Sequence, residues 1–179
     1  MFTGSERTHP LHVIRFCPRC GSAEFPAVSN RSFKCKKCGF HFFVNAAAAV
    51  AALIANENGQ LLLTRRKIDP DAGKLDLPGG FADPGEMAED ALKRELWEEL
   101  GLEVREMEYV GSRPNDYVFS GISVFTLDFA FKVIPEDLSN LKPMDDILDF
   151  GFYSFDQIDW EHDIPAPSIR FFARSFFEQ

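Results

Sequence analysis

GGFADPGEMAEDALKRELWEELGL, residues 79–102, puts three glutamates, Glu95, Glu98 and Glu99, on one short amphipathic segment. Asp83-Pro84-Gly85 breaks the chain just ahead of it and Gly101 is a C-cap signal, so the spacing predicts a helix from about Met87 to Leu100. On a helical wheel, Ala88, Ala91, Leu92 and Leu96 form an apolar stripe. Glu95 and Glu99 fall inside that stripe, Glu98 borders it, and Glu89, Asp90 and Lys93 take the opposite face. Carboxylates three and four residues apart repel one another, and the C-terminal end of a helix dipole disfavours negative charge. A helix that packs its first two turns on a core and then aims acids the same way breaks two local rules at once, as functional sites do. A bound divalent cation removes both penalties.

The 179 residues suit one medium domain, or one domain with a small module, and 45% hydrophobic content with 19 phenylalanines supports a sizeable core. The net charge of −9 is unevenly spread. Residues 1–45 hold seven Lys/Arg against two Asp/Glu, a balance of +5, and the remainder holds 12 against 26, a balance of −14. An acidic body argues against general nucleic-acid binding and suits a cation-loaded site. MFTGSERTHPLHV lacks an apolar signal core, and the longest apolar run, residues 46–55, is too short for a bilayer. A soluble cytoplasmic protein with no membrane partner is expected.

All four cysteines lie in the basic segment, as CPRCG (17–21) and CKKCG (35–39). A glycine after each Cys-x-x-Cys allows the tight turn that aims amides at thiolate sulfur, and two such knuckles supply Cys17, Cys20, Cys35 and Cys38 as four ligands for tetrahedral Zn²⁺. Two disulfides would need an oxidising compartment, for which the sequence offers no sign. With no open position, the zinc would be structural. Arg15, Arg19, Arg31, Lys34, Lys36 and Lys37 around it either contact phosphates or offset the charge of the four-thiolate centre. A flexible N-terminus over 1–13 and a zinc ribbon over 14–42 are expected, followed by an α/β body over 43–179.

Within the body, Asn45–Ala55 and Gln60–Arg65 read as a hairpin about the turn Asn56–Gly59. Residues 68–80 read as a loop leading into a short strand and a diglycine turn. Ile122–Ile134 and Phe150–Phe155 are strand-like, and SIRFFARSFFEQ (168–179) follows Pro165-Ala-Pro as a terminal helix.

Gly80, Glu86, Arg94-Glu95-Leu96, Glu98-Glu99 and Gly101-Leu102 match every defined position of the Nudix box, and the chain resembles the Nudix hydrolase family. The resemblance implies a Nudix α/β/α sandwich with a mixed sheet, preceded by the small zinc-ribbon module. It also implies hydrolysis of a nucleoside diphosphate linked to another group. Hard Mg²⁺ or Mn²⁺ prefers carboxylate oxygens and keeps sites for water and phosphate, as a glutamate cluster allows. Glu98 and Glu99 are expected as principal ligands, and Glu95 as a further ligand or as the general base. Arg94, eight residues after Glu86 and four before Glu98, is expected to orient these carboxylates. Gly79 and Gly80 let the backbone approach the metal or the phosphates. In DDILDFGFYSFDQI (145–158), either Asp146 or Asp149 supplies a further ligand or base, or the stretch is a solvated loop.

A zinc ribbon ahead of such a box is similar to the NADH pyrophosphatase branch, some of whose members remove NAD caps from RNA. That branch carries SQPWPFPxS after the box, where this chain reads SRPNDYVFS (112–120), with Asn115, Asp116 and Val118 as departures. NAD(H), ADP-ribose or a related dinucleotide are the expected substrates, NAD-capped RNA is a further partner the resemblance raises, and a homodimer is implied by resemblance alone. Two readings of other classes stand beside this one. The first is a catalytically weak Nudix-fold module binding RNA or a nucleotide through the basic ribbon. The second is a nucleotide-sensing regulator, against which the acidic body and the lack of a helix-turn-helix pattern argue.

Overall fold

The computed structural model describes residues 7–178. It divides into two compact units, one holding the chain up to Ala46 together with Asp116–Phe125, the other holding Ala47–Asn115 and Thr126 onward.

In the first unit a single turn of helix, α1 (Pro10–Val13), falls in the stretch expected as a flexible N-terminus; residues 1–6 of that stretch lie outside the described residues. Three short antiparallel strands follow, β1 (Ala27–Ser29), β2 (Ser32–Lys34) and β3 (His41–Phe43), with β2 in the middle. Their apolar centre is small: Cys17, Phe25, Phe33 and Cys35, with Phe25 and Phe33 stacked at 5.1 Å. Thr8 meets the 116–125 segment, its carbonyl accepting from the Ser123 amide at 2.8 Å and the two hydroxyls lying 2.9 Å apart.

The second unit is built on β4 (Ala47–Leu53), which pairs in parallel with β9 (Ile122–Pro135) and antiparallel with β7 (Gly79–Phe81). With β8 (Val104–Phe119) beyond β9 this makes a mixed sheet of order β7-β4-β9-β8. A second sheet runs β10-β5-β6, from β5 (Leu61–Arg66), β6 (Leu75–Asp76) and β10 (Ile147–Tyr153). Side chains alternate across the strands: Ala51, Leu53, Leu61 and Leu63 join Ile169 and Phe172 of α3 (Pro167–Phe177), whereas Val50, Ala52 and Leu62 join Leu92 and Leu96 of α2 (Ala88–Leu100). Burial on both faces explains why β4 reads as a continuous apolar run rather than an alternating one. It also yields the expected α/β/α layering.

Two expectations change. Asn45–Ala55 and Gln60–Arg65 are not a hairpin: after the Ala55–Leu61 bridge they part into different sheets, β4 toward β9 and β5 toward β10. The turn itself forms as read, with the Asn56 side-chain oxygen accepting from the amides of Asn58 and Gln60, both at 3.0 Å. The diglycine is strand, not turn. Gly79, paired with Ala51 at φ 140°, lies so close to β4 that a Cβ would stand 2.1 Å from the Val50 carbonyl oxygen.

Candidate active site and cysteine centre

The helix α2 begins one residue later than expected, with Met87 as N-cap, and ends at Gly101, whose φ of 64° suits a residue without a Cβ. Of its apolar stripe Ala91, Leu92 and Leu96 are fully buried and Ala88 partly so, and the three glutamates follow the wheel: Glu99 is 6% exposed, the Glu95 side chain 15% and the Glu98 side chain 48%.

Arg94 is the hub of the site. Its Nε and Nη2 form a fork on Glu86 at 3.0 and 2.9 Å, Nη1 donates to Glu95 at 2.8 Å and to Glu98 at 3.1 Å, and Nη2 also donates to the Phe81 carbonyl at 3.0 Å. A guanidinium has five N–H donors, and these five bonds use all of them. Glu86 is equally committed, because its Oε2 also accepts from the Asp83 amide at 2.9 Å. The arginine fork holds the Glu86 carboxyl below the usual glutamate range.

The other glutamates are not saturated. Each has one oxygen engaged, Oε1 of Glu95 and Oε2 of Glu98 by Arg94, and Oε2 of Glu99 by the Gly79 amide at 3.0 Å. The opposite oxygen of each accepts no hydrogen bond from any of the described residues. Burial pushes Glu99 up to about 9 despite the Gly79 amide, with the negative charges of Asp146, Glu95 and Asp76 adding to the rise. Glu95 is also raised by burial, partly offset by Arg94, with Glu98 and Asp146 opposing its ionisation. A Cβ at Gly80 would stand 2.6 Å from the Glu95 carboxyl carbon, so a larger residue there would displace the Glu95 carboxylate.

Of the two aspartates weighed in the 145–158 stretch, Asp146 acts on both Glu95 and Glu99. Asp149 is exposed, sits opposite Arg65 in the β10–β5 pairing and accepts from the Phe150 amide. Sequence reasoning passed over Asp76. It lies on β6, forms a 3.0 Å ion pair with Arg66, is raised by burial and adds to the negative field on Glu99. Its only sequence signal was a charge between Leu75 and Leu77, in a strand too short to show a period.

Among the described residues, the four cysteines are the group whose ligand atoms all lie within 4.8 Å of one another. The box carboxylates are not gathered that tightly; Arg94 binds Glu95 and Glu98, the Gly79 amide binds Glu99, and one oxygen of each is uncommitted among the described residues. Hard oxygen donors, buried negative charge and free lone pairs fit a divalent cation. At the cysteines, Cys17 and Cys38 are 3.8 Å apart at sulfur, and Cys20 and Cys35 are 3.7 Å apart. Tetrahedral coordination with Zn–S bonds of about 2.3 Å requires sulfurs roughly 3.8 Å apart, so the quartet fits zinc. The two knuckles have the same form, the Gly21 amide donating to the Cys17 carbonyl and the Gly39 amide to the Cys35 carbonyl, with φ of 70° and 74°.

Residues 45–175 match the family model described as NUDIX domain, and the chain belongs to that family. Among curated proteins it is similar to the NAD-capped RNA hydrolase NudC of Pseudomonas putida, 32% identical over 161 residues, covering 89% of this chain and 53% of that protein. It is likewise similar to the NAD-capped RNA hydrolase NudC of Deinococcus radiodurans, 32% identical over 120 residues, covering 65% and 42%. The chain thus spans about half the length of the curated relatives it matches. Among solved structures it resembles a NUDIX hydrolase from Nitrosomonas europaea, with a TM-score of 0.66 and 26% identity over 93% of this chain and 92% of that one.

Proposed function

We propose that this chain is a Mg²⁺- or Mn²⁺-dependent Nudix pyrophosphohydrolase that cleaves the diphosphate of an NAD-like dinucleotide or ADP-ribose by attack of water on phosphorus. The observation that carries the reading is the division of labour among four glutamates. Glu86 and Arg94 have every polar atom spent on one another and their neighbours, while Glu95, Glu98 and Glu99 each keep a free oxygen on one side of the same helix. Glu98 and Glu99, with Glu95, would hold the cation. Bound there, it would neutralise the diphosphate and lower the pKa of a coordinated water. Arg94 keeps the carboxylates in register and has no donor left for substrate. Glu95, partly buried and raised above the usual glutamate range by that burial, is suited to take a proton from water if it is not a ligand. Gly79 and Gly80 keep the backbone close to the acids, and Asp146 is favoured over Asp149 as an additional carboxylate because it acts on Glu95 and Glu99. The cysteine quartet would hold a structural zinc.

The names of the relatives support an NAD-like substrate, and four free thiols suit a reducing, cytoplasmic setting. No helix among the described residues is long and apolar enough to cross a membrane. The test is a hydrolysis screen with Mg²⁺ and then Mn²⁺ against NADH, NAD⁺, ADP-ribose, FAD, nucleotide sugars and NAD-capped RNA, run in ¹⁸O-water with products resolved by mass spectrometry. One cleaved substrate with label on a single phosphate is expected. A folded, metal-loaded protein silent on the whole panel would overturn the proposal in favour of a binding module.

A further inference from the structure

Asp76 lies outside the glutamate box, yet two donors close on its carboxylate. At the end of β6 it sits opposite Thr64 of β5, and its Oδ2 accepts from Arg66 Nη1 at 3.0 Å and its Oδ1 from the Leu77 amide at 2.9 Å. Arg66 is fixed in turn, its Nε donating to the Pro70 carbonyl at 2.9 Å and its backbone amide to the Lys74 carbonyl at 2.9 Å. The pair is mostly withdrawn from water, with side chains 20% and 22% exposed. An ion pair so placed adds little stability over apolar residues of the same volume, and packing between the buried Leu75 and Leu77 does not require a charge.

The segment that follows leads straight to the acids. Leu77 is buried, the Pro78 carbonyl accepts from the Ala52 amide at 2.8 Å, and Gly79, paired with Ala51 of β4, donates its amide to Glu99 at 3.0 Å. Proline has no amide proton, so Leu77 carries the only backbone donor between Asp76 and Gly79, and Asp76 is what satisfies it. The carboxylate thus secures the near end of a segment whose far end holds a metal-binding glutamate. Its charge reaches the same place: beyond the burial that mainly raises Glu99, Asp76 also opposes the ionisation of that group. A field that holds a proton on a carboxylate draws a doubly charged ion more strongly still.

We propose that Asp76 is a positioning residue of the cation site: held by Arg66, its carboxylate fixes the Leu77–Gly79 segment against Glu99 and raises the affinity of the glutamates for their divalent ion. The proposal rests on the hydrolase reading for the existence of that site and not for turnover. Metal binding measured without substrate therefore lets the two fail separately.

The experiment is a titration of the intact, zinc-loaded protein with Mn²⁺, the free ion followed by electron paramagnetic resonance with no nucleotide present, alongside thermal melts of the Mn²⁺-free protein. Asp76→Asn keeps an oxygen for the Leu77 amide and removes the charge. It should weaken Mn²⁺ binding about tenfold, and turnover of the dinucleotide identified by the hydrolysis screen should fall at limiting Mn²⁺ and recover most of the loss at saturating Mn²⁺. Asp76→Ala removes the oxygen as well, and should also lower kcat about tenfold at saturating Mn²⁺, because the segment carrying the Gly79 amide is no longer fixed. The double substitution Arg66→Met with Asp76→Leu leaves no buried charge unpaired and should melt no lower than the unaltered protein, yet bind Mn²⁺ about tenfold more weakly or worse. Weaker binding by a fully stable double variant separates a positioning role from a structural one. Unchanged Mn²⁺ affinity in Asp76→Asn overturns the proposal, and so does affinity that falls in Asp76→Asn together with the melt and returns in the double variant. A protein that binds Mn²⁺, loses affinity in both variants and cleaves nothing keeps the role of Asp76 and removes the hydrolase. Absence of Mn²⁺ binding by the unaltered protein overturns both.

Discussion

Arg94 shows how much a single side chain can organise. Five donors in a rigid fork serve Glu86, Glu95, Glu98 and the Phe81 carbonyl at once, which a lysine ammonium with three donors on a flexible stem cannot reproduce. Arg94→Lys should therefore lower turnover about 10²-fold through misplaced carboxylates while leaving the protein folded, read as kcat alongside a thermal melt. Turnover within threefold of the unaltered enzyme would show that the fork is not needed. Glu99 gives a second residue-scale prediction. In the metal-free fold its pKa is raised from 4.5 to about 9, so across that window the folded state holds a proton that the unfolded state has released. Stability of the metal-free protein should fall as pH rises from about 5 to 9, by up to about 1.4 kcal/mol per unit. Glu99→Gln should flatten the slope, and Mg²⁺ binding near pH 7 should release a proton that calorimetry in buffers of different ionisation heat detects. A metal-free protein equally stable at pH 5 and 8 would contradict the assignment.

At the scale of elements, the helix was legible because its period, its breaker and its cap all agree: the Asp83-Pro84-Gly85 break, the Ala88-to-Leu96 stripe and Gly101 point to one helix, and α2 is that helix within a residue. The acids inside the stripe were legible as conflicts with that same pattern. Their arrangement was not, because which oxygen Arg94 engages and how far Asp146 and Asp76 reach depend on strands brought in from elsewhere. The hairpin reading failed for a related reason: a tight turn fixes only the first pair across it, and the parallel partner of each β4 residue lies 79 positions further along the sequence, Ala47 opposite Thr126. The strand β8 carried little signal, since most of its 16 residues are exposed and Pro114 argues against a central strand. Proline is tolerated there because β8 is the outer strand of its sheet. One residue of β8 is poorly accommodated: both carboxylate oxygens of Asp116 are buried with no partner among the described residues. Asp116→Val should raise the unfolding free energy by about 1–3 kcal/mol, measured by denaturant titration. A loss of stability would mean that the carboxylate has a partner in solution.

For the molecule as a whole, opposite charge biases divide between the ribbon and the body, and the sequence showed this directly, as it showed the two Cys-x-x-Cys pairs. On the proposed reading the ribbon depends on a zinc held by its four cysteines. A buried centre of Cys17, Phe25, Phe33 and Cys35 is too small to hold three short strands unaided. Cys35→Ser should reduce zinc from one ion per chain to none by elemental analysis and unfold residues 14–42, seen as loss of protection from protease; retained zinc would refute the four-ligand site. The account as a whole turns on whether the free oxygens of the box glutamates hold a catalytic cation. The most direct test compares Mg²⁺-dependent turnover of the best dinucleotide substrate by the unaltered protein and by Glu98→Gln. Glu98 is half exposed and, among the described residues, bonded only to Arg94, so its replacement should not disturb folding. The account predicts a loss of at least about 10²-fold in kcat with an unchanged melt. An unchanged rate at saturating Mg²⁺ would contradict it.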